Sequence, residues 1–240
     1  MAALVDVQVG ARVRSVAESL AQAIADDLRA ALARRGHAAL ALSGGRSPVP
    51  MLRALSREPL DWERVTVGLV DERWVPEEHA DSNARLLREH LLCDHAAAAR
   101  FLPMKNAAAT ASEGCEAAQQ VLADWAAQLD VAVLGMGGDG HTASWFPAAP
   151  GLDRALDRDH PACCVALQPA GMAVERLSLT LAAIAGARQR YLFFTGSDKW
   201  AAFERALAGS DAREFPVRAL LALPLTVYYA VDASTGEEDA

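Results

Sequence analysis

The chain is nearly devoid of lysine: of its 23 basic residues only Lys105 and Lys199 are not arginine. It has four cysteines, Cys93, Cys115, Cys163 and Cys164, with no CxxC pair and no regular spacing, which excludes a disulfide framework and a thiolate zinc site. At 240 residues and 52% hydrophobic content the core needs no such staples, so the thiols are expected to be free, in a reducing, cytoplasmic compartment. The histidines, at 37, 79, 90, 95, 141 and 160, form neither HxH nor HExxH, and no metal or other cofactor is expected. There is no GxSxG nucleophile elbow. No apolar run approaches the ~20 residues of a membrane span; a long one, around Leu177 to Ala187, falls far short. The opening MAALVDVQVG lacks a basic n-region and meets Asp6 early, so no targeting segment is expected. A net charge of −8 argues against a nucleic-acid or membrane-surface partner. An anionic small molecule must then be met by locally placed cations. No Gly/Ser/Pro linker or internal repeat divides residues 1–240, so one domain is expected, with Ser234 to Ala240 as a frayed tail.

What is present is a repeated alternation of helix and strand. Leu20, Ile24, Leu28 and Leu32 recur at spacing four before Gly36, which predicts an amphipathic helix over 15–35. Apolar runs at Ala38–Leu42, Val65–Val70, Val131–Leu134, Cys163–Leu167, Leu177–Leu181, Tyr191–Phe194 and Thr226–Val231 predict strands. Helices are expected from Pro48 through Leu55, from Ser82-Asn83 through Leu92, and over Ala111–Gln128, with a connection around Pro103. This pattern predicts an α/β fold with a mainly parallel sheet covered by helices on both faces. In such sheets ligands bind beyond the carboxyl ends of the strands, and the polar clusters sit there: Ser43-Gly44-Gly45-Arg46-Ser47, Asp71-Glu72-Arg73, Asp139-Gly140-His141 and Gly196-Ser197-Asp198-Lys199.

Each cluster has a chemical and a plain reading. The Ser43 to Ser47 loop, between a strand and a helix, offers free N–H groups and hydroxyls to an anion, or is a βα turn in which Ser47 caps a helix beginning at Pro48. Lys199 places a compact ammonium at a strand end. Arg176 opens an alternating run and is either an anion partner or a solvated edge charge. Three charges directly after a buried strand suggest Arg73 as a donor to substrate oxygens, oriented by the carboxylates of Asp71 and Glu72; they could also pair among themselves on the surface. Gly135-x-Gly137-x-x-Gly140 formally matches a dinucleotide fingerprint, but Pro147 and Pro150-Gly151 interrupt the long helix that this motif needs. The glycines instead present His141, of a residue type whose ordinary pKa of ~6.5 suits proton transfer at neutral pH. Asp139 either orients that imidazole or is the polar residue of an Asp-Gly turn.

Taken together, LSGGRSP at 42–48, VDERWVPEEHADSN at 70–83, LGMGGDGHTASWFP at 134–147, RLSLT at 176–180 and GSDKW at 196–200 resemble the 6-phosphogluconolactonase family, within the larger group that includes glucosamine-6-phosphate deaminases. The resemblance spans about residues 38 to 232 and implies a NagB-like, Rossmann-type fold and hydrolysis of 6-phospho-D-glucono-1,5-lactone to 6-phospho-D-gluconate, a step of the oxidative pentose phosphate pathway. It implies that His141 is the general base, with Asp139 at the matching acidic position. It implies that Arg73 contacts the lactone end, and that Ser43, Gly44, Gly45, Ser47, Arg176 and Lys199 hold the phosphate. Arg46 stands where the family usually has a small hydroxyl residue. A deaminase would continue the histidine motif into a Phe-Asn-Glu-Pro-like segment, whereas Ala143 to Pro147 contains no acid. A non-catalytic sugar-phosphate sensor would be expected to carry a DNA-reading module and to lack His141.

Overall fold

The computed structural model describes residues 5–169 and 171–231; the expected tail from Ser234 lies outside the described residues. In chain order the elements are β1 (Val5–Gly10), α1 (Val13–Arg35), β2 (Ala38–Leu42), α2 (Val49–Leu55), β3 (Val65–Leu69), β4 (Asp71–Arg73), α3 (Asn83–His90), β5 (Arg100–Leu102), α4 (Ala111–Ala126), β6 (Val131–Leu134), α5 (Leu152–Leu156), β7 (Cys164–Leu167), β8 (Arg176–Leu179), α6 (Leu181–Ala185), β9 (Gln189–Thr195), α7 (Ser197–Leu207), α8 (Val217–Leu221) and β10 (Leu225–Ala230).

Seven strands form one wholly parallel sheet in the order β1-β10-β9-β6-β2-β3-β5. Its centre is the most apolar part: every residue of β2 and β6 is buried, which requires cover on both faces. α1 supplies some of that cover through Leu20, Ile24 and Leu28, all fully buried, each stabilising the fold by roughly 1.5–3 kcal/mol through burial. Gly36 ends α1 in the left-handed conformation at φ 76°, as its sequence position predicts. α4 lies against β3, where the Trp125 ring occupies the space beside Gly68 and its indole N–H donates to the Thr66 carbonyl at 3.2 Å.

Three expectations need correction. The Asp71 to Arg73 segment is not a charged loop leaving the main sheet. It is strand β4, antiparallel to β8, and with β7 the two form a second, three-stranded sheet. Its short strands are fastened to the main sheet by Val70, whose N–H donates to Leu42 and whose carbonyl accepts from Leu179. β1 and β5 are strands that the apolar runs did not announce. β1 is an edge strand, largely exposed, and β5 has only three residues. Ser47 does not cap α2; Pro48 occupies the N-cap with no side-chain cap bond, which leaves the Ser47 hydroxyl free for another partner.

The strand order reverses between β2 and β6, since the chain proceeds from β2 to β3 and β5 on one side and reaches β6, β9 and β10 on the other. This is the switch point at which a parallel sheet opens a crevice beyond its carboxyl ends. Leu42 is in register with Leu69 and with Val133, so the loops after β2, β3 and β6 leave the sheet at one level.

Candidate active site

A cleft of about 320 Å3 lies over the switch point. The loops after β2 and β6 form its floor, β4 and β8 of the small sheet one wall, and the start of α7 another.

The turn after β6 presents a histidine because its backbone closes on itself. Gly137 N–H donates to the His141 carbonyl at 2.9 Å and Gly140 N–H to the Gly137 carbonyl at 3.0 Å. The Thr142 hydroxyl donates to the Gly135 carbonyl at 2.8 Å. Glycine is required at 137, where a Cβ would lie 2.2 Å from the His141 ring. Asp139 performs both of the roles the sequence left open: its Oδ1 accepts from the His141 backbone N–H at 3.1 Å and meets Nδ1 at 2.5 Å. The histidine hydrogen bond, more than offsetting burial, holds the Asp139 carboxyl below the usual carboxylate range. An Nδ1–H committed to Asp139 leaves Nε2 as the ring's acceptor. The carboxylate thus fixes the orientation of the imidazole.

Arg73 is held differently from expectation. Its Nη1 donates to the Asp81 carbonyl and to Asn83 Oδ1, both at 2.8 Å, not to the neighbouring carboxylates. Glu72 works through the backbone: its carboxylate accepts from the N–H groups of Arg73, Asn83 and Ala84, each at 2.8 Å, and from the Ser82 hydroxyl. Burial pushes its pKa up, opposed by those backbone donors. Asp71 turns the other way, its Oδ2 accepting from the Ser144 hydroxyl at 2.5 Å and so tying β4 to the histidine turn. Among the described residues the second amino nitrogen of Arg73 has no hydrogen-bond partner, and the residue lines the cleft. That nitrogen is a free, fixed donor.

The third group is cationic. Among the described residues none accepts from the backbone N–H of Gly44, Gly45, Arg46 or Ser47, and four unpaired donors in one loop suit an anion. Ser43 spends one lone pair on the Gly135 N–H at 3.3 Å. Lys199 Nζ lies 3.4 Å from Ser47 Oγ; its pKa is lowered by burial and then by the nearby Arg46 charge. α7 begins at Ser197, after Gly196, so Lys199 stands in its first turn. Arg176, the antiparallel partner of Arg73, is not a solvated edge charge. Its Nε is buried with no partner among the described residues, and burial lowers its pKa.

All the predicted site residues except Asp139 line this cleft: Ser43, Gly44, Gly45, Ser47, Arg73, His141, Arg176 and Lys199. Asp139 stands behind the imidazole. Lys105 is elsewhere, its ammonium 4.7 Å from the Trp74 ring centroid. The sequence reading missed Asn83, Asp71 and Phe146 as members of the lining. In the sequence Asn83 reads only as part of a helix start, although an amide in first helical position, directly after its Ser82 cap, is a group free to bond outside the helix. Among the described residues no helix is long and apolar enough to cross a membrane, and no cluster of His, Cys, Asp and Glu side chains is placed to hold a metal ion.

Residues 11–226 match the family model described as glucosamine-6-phosphate isomerases/6-phosphogluconolactonase. The chain is 48% identical over 225 residues to a 6-phosphogluconolactonase of Pseudomonas aeruginosa, covering 94% of each protein. It superposes with a TM-score of 0.92 on the crystal structure of a 6-phosphogluconolactonase from Shewanella baltica, at 38% identity, covering 95% of this chain and 98% of that one. A monomeric glucosamine-6-phosphate deaminase of the NagB superfamily shares the fold, with a TM-score of 0.72 at 19% identity over 94% of this chain and 97% of that one.

Proposed function

The chain belongs to the glucosamine-6-phosphate isomerase/6-phosphogluconolactonase family, and from that premise we propose that it is a 6-phosphogluconolactonase, hydrolysing 6-phospho-D-glucono-1,5-lactone to 6-phospho-D-gluconate in the oxidative pentose phosphate pathway. The observation that carries this reading is an imidazole oriented by a carboxylate at 2.5 Å, facing a cleft whose other lining includes Arg73, Arg176 and Lys199. The free thiols support a cytoplasmic location.

A lactone is an activated ester, so its hydrolysis needs one base for water and donors for the developing oxyanion, with neither a covalent nucleophile nor a metal. In the proposed cycle the phosphate is held by the loop N–H groups, Ser43, Ser47, Lys199 and Arg176, which fixes the ring in the cleft. His141 Nε2 takes a proton from water as its oxygen attacks C1. The carbonyl oxygen becomes an alkoxide that the free Arg73 nitrogen stabilises, and Asp139 stabilises the imidazolium. As the tetrahedral intermediate collapses, the C1–ring-oxygen bond breaks and His141 returns its proton to that oxygen. The wall next to His141 supplies Ala143 and Phe146 to the cleft, where a deaminase would need a carboxylate.

The test generates the lactone in situ with glucose-6-phosphate dehydrogenase and follows acid release above spontaneous hydrolysis, beside a glucosamine-6-phosphate deaminase assay. Accelerated hydrolysis with no ammonia release is the expected result. Hydrolysis at the spontaneous rate would overturn the proposal.

A further inference from the structure

Phe146 closes the histidine turn, and its ring meets two groups of the cleft. It stacks on His141 with centroids 4.2 Å apart and planes at 21°. The guanidinium carbon of Arg176 lies 5.2 Å from the same ring centroid. Among the described residues no carboxylate or carbonyl accepts from that guanidinium. Its Nε is buried without a partner among the described residues, and its Nη2 donates to the thioether sulfur of Met172 at 3.4 Å, a weak acceptor.

The ring is itself firmly placed. Its neighbour Trp145 is fully buried and donates its indole N–H to the Leu179 carbonyl at 3.0 Å. The Phe146 carbonyl accepts from the Ala149 N–H at 3.1 Å. An aromatic face is electron-rich and attracts a guanidinium, more so where water is excluded. It also attracts the positive charge that an imidazole gains on taking a proton.

Building on the assignment of His141 as base and Arg176 as phosphate partner, we propose that Phe146 is a positioning residue that couples the two. The ring holds the Arg176 guanidinium where the phosphate arrives, and it keeps the imidazole plane fixed while that imidazole becomes charged. One side chain thereby serves both ends of the substrate. A purely space-filling residue at this place could be replaced by any apolar side chain of similar size; this role needs an aromatic face.

The experiment compares Phe146→Leu, Phe146→Met and Phe146→Tyr in the full chain, using lactone made in situ and recording kcat, KM and melting temperature. Loss of the aromatic face in the Leu and Met variants should lower kcat about tenfold and raise KM about tenfold, while Tyr restores both to within about threefold of wild type. The flexible Met side chain fills the slot and carries the comparison should the Leu variant not fold. Leu or Met variants with kcat and KM within twofold of wild type would overturn the proposal, as would a Tyr variant that melts normally yet is as impaired as Leu. His141→Asn in the same assay separates the two levels of argument. Wild-type turnover in that variant removes the base assignment, whereas an inactive His141→Asn beside unaffected Phe146 variants removes only the coupling.

Discussion

Asn83 fills the space that a side chain at residue 44 would take: a Cβ on Gly44 would lie 1.9 Å from Asn83 Oδ1, the same oxygen that accepts from Arg73 Nη1 at 2.8 Å. The glycine loop and the arginine therefore contact each other through one buried amide, whose Nδ2 is also committed, donating to the Asp71 carbonyl at 2.8 Å. Gly44 is needed for this approach and not only for access to an anion. Gly44→Ala should displace Asn83 and release Arg73, lowering kcat/KM by about 10²-fold, the scale of one misplaced oxyanion donor. Steady-state kinetics beside a melting curve check this; a fully folded Ala variant with wild-type kcat would disconnect the loop from Arg73.

The histidine and its carboxylate should separate in kinetics. His141→Asn removes the proposed base and should lower kcat by ~10²–10⁴-fold while leaving affinity for 6-phosphogluconate nearly unchanged. Asp139→Asn keeps the imidazole but can present an N–H toward Nδ1, favouring the wrong tautomer, and should lower kcat by about 10²-fold. Product affinity measured by calorimetry, alongside turnover, checks both. Equal loss of binding and turnover would place His141 in substrate anchoring instead.

Much of this site is legible in the sequence, and the reason is physical. β2, β3, β6 and β9 are buried enough to read as continuous apolar runs, so their carboxyl ends could be located, and a parallel sheet gathers such ends at one edge. Ser43, Arg73, His141 and Lys199 follow from that geometry. What escaped is whatever depends on a second sheet or on contacts between distant segments. β4 is three charged residues and carries no strand periodicity; it is a strand because β8 lies opposite it. Glu72 looked like a carboxylate poised to pair with Arg73, yet it is buried against three backbone N–H groups that no local pattern reveals. Asn83 was invisible as a site residue because its partners, Arg73 and Asp71, come from a different element.

Chelation offers a direct check on the proposed chemistry. Water activated by His141 and an oxyanion met by Arg73 leave no step for a metal ion. Turnover should therefore be unchanged after prolonged treatment with EDTA and desalting. A loss of activity that zinc or magnesium restores would mean that the base is not His141 acting alone.

On the proposed reading, Lys199 should make phosphate binding sensitive to pH on the alkaline side. Burial, and then the like charge of Arg46, lower its pKa from the ordinary lysine value, while a bound phosphate would raise it again. Affinity for the phosphorylated ligand should thus be fully present below the lowered pKa of the free enzyme and be lost as pH rises through it, earlier than for an exposed lysine. Lys199→Met and Arg176→Met should each raise KM by about tenfold or more with smaller effects on kcat, as expected when a charge-assisted contact to phosphate is lost. Arg46→Ala has two opposed consequences. It removes one cation from the rim of the cleft, which weakens binding a few-fold at neutral pH, and it relieves Lys199, which moves the alkaline loss of affinity to higher pH. The lactone is unstable in base, so the measurement is the affinity of 6-phosphogluconate against pH for wild type, Arg46→Ala and Lys199→Met. A Lys199→Met profile that still shows the wild-type alkaline limb would assign that limb to another group and remove Lys199 from the phosphate site.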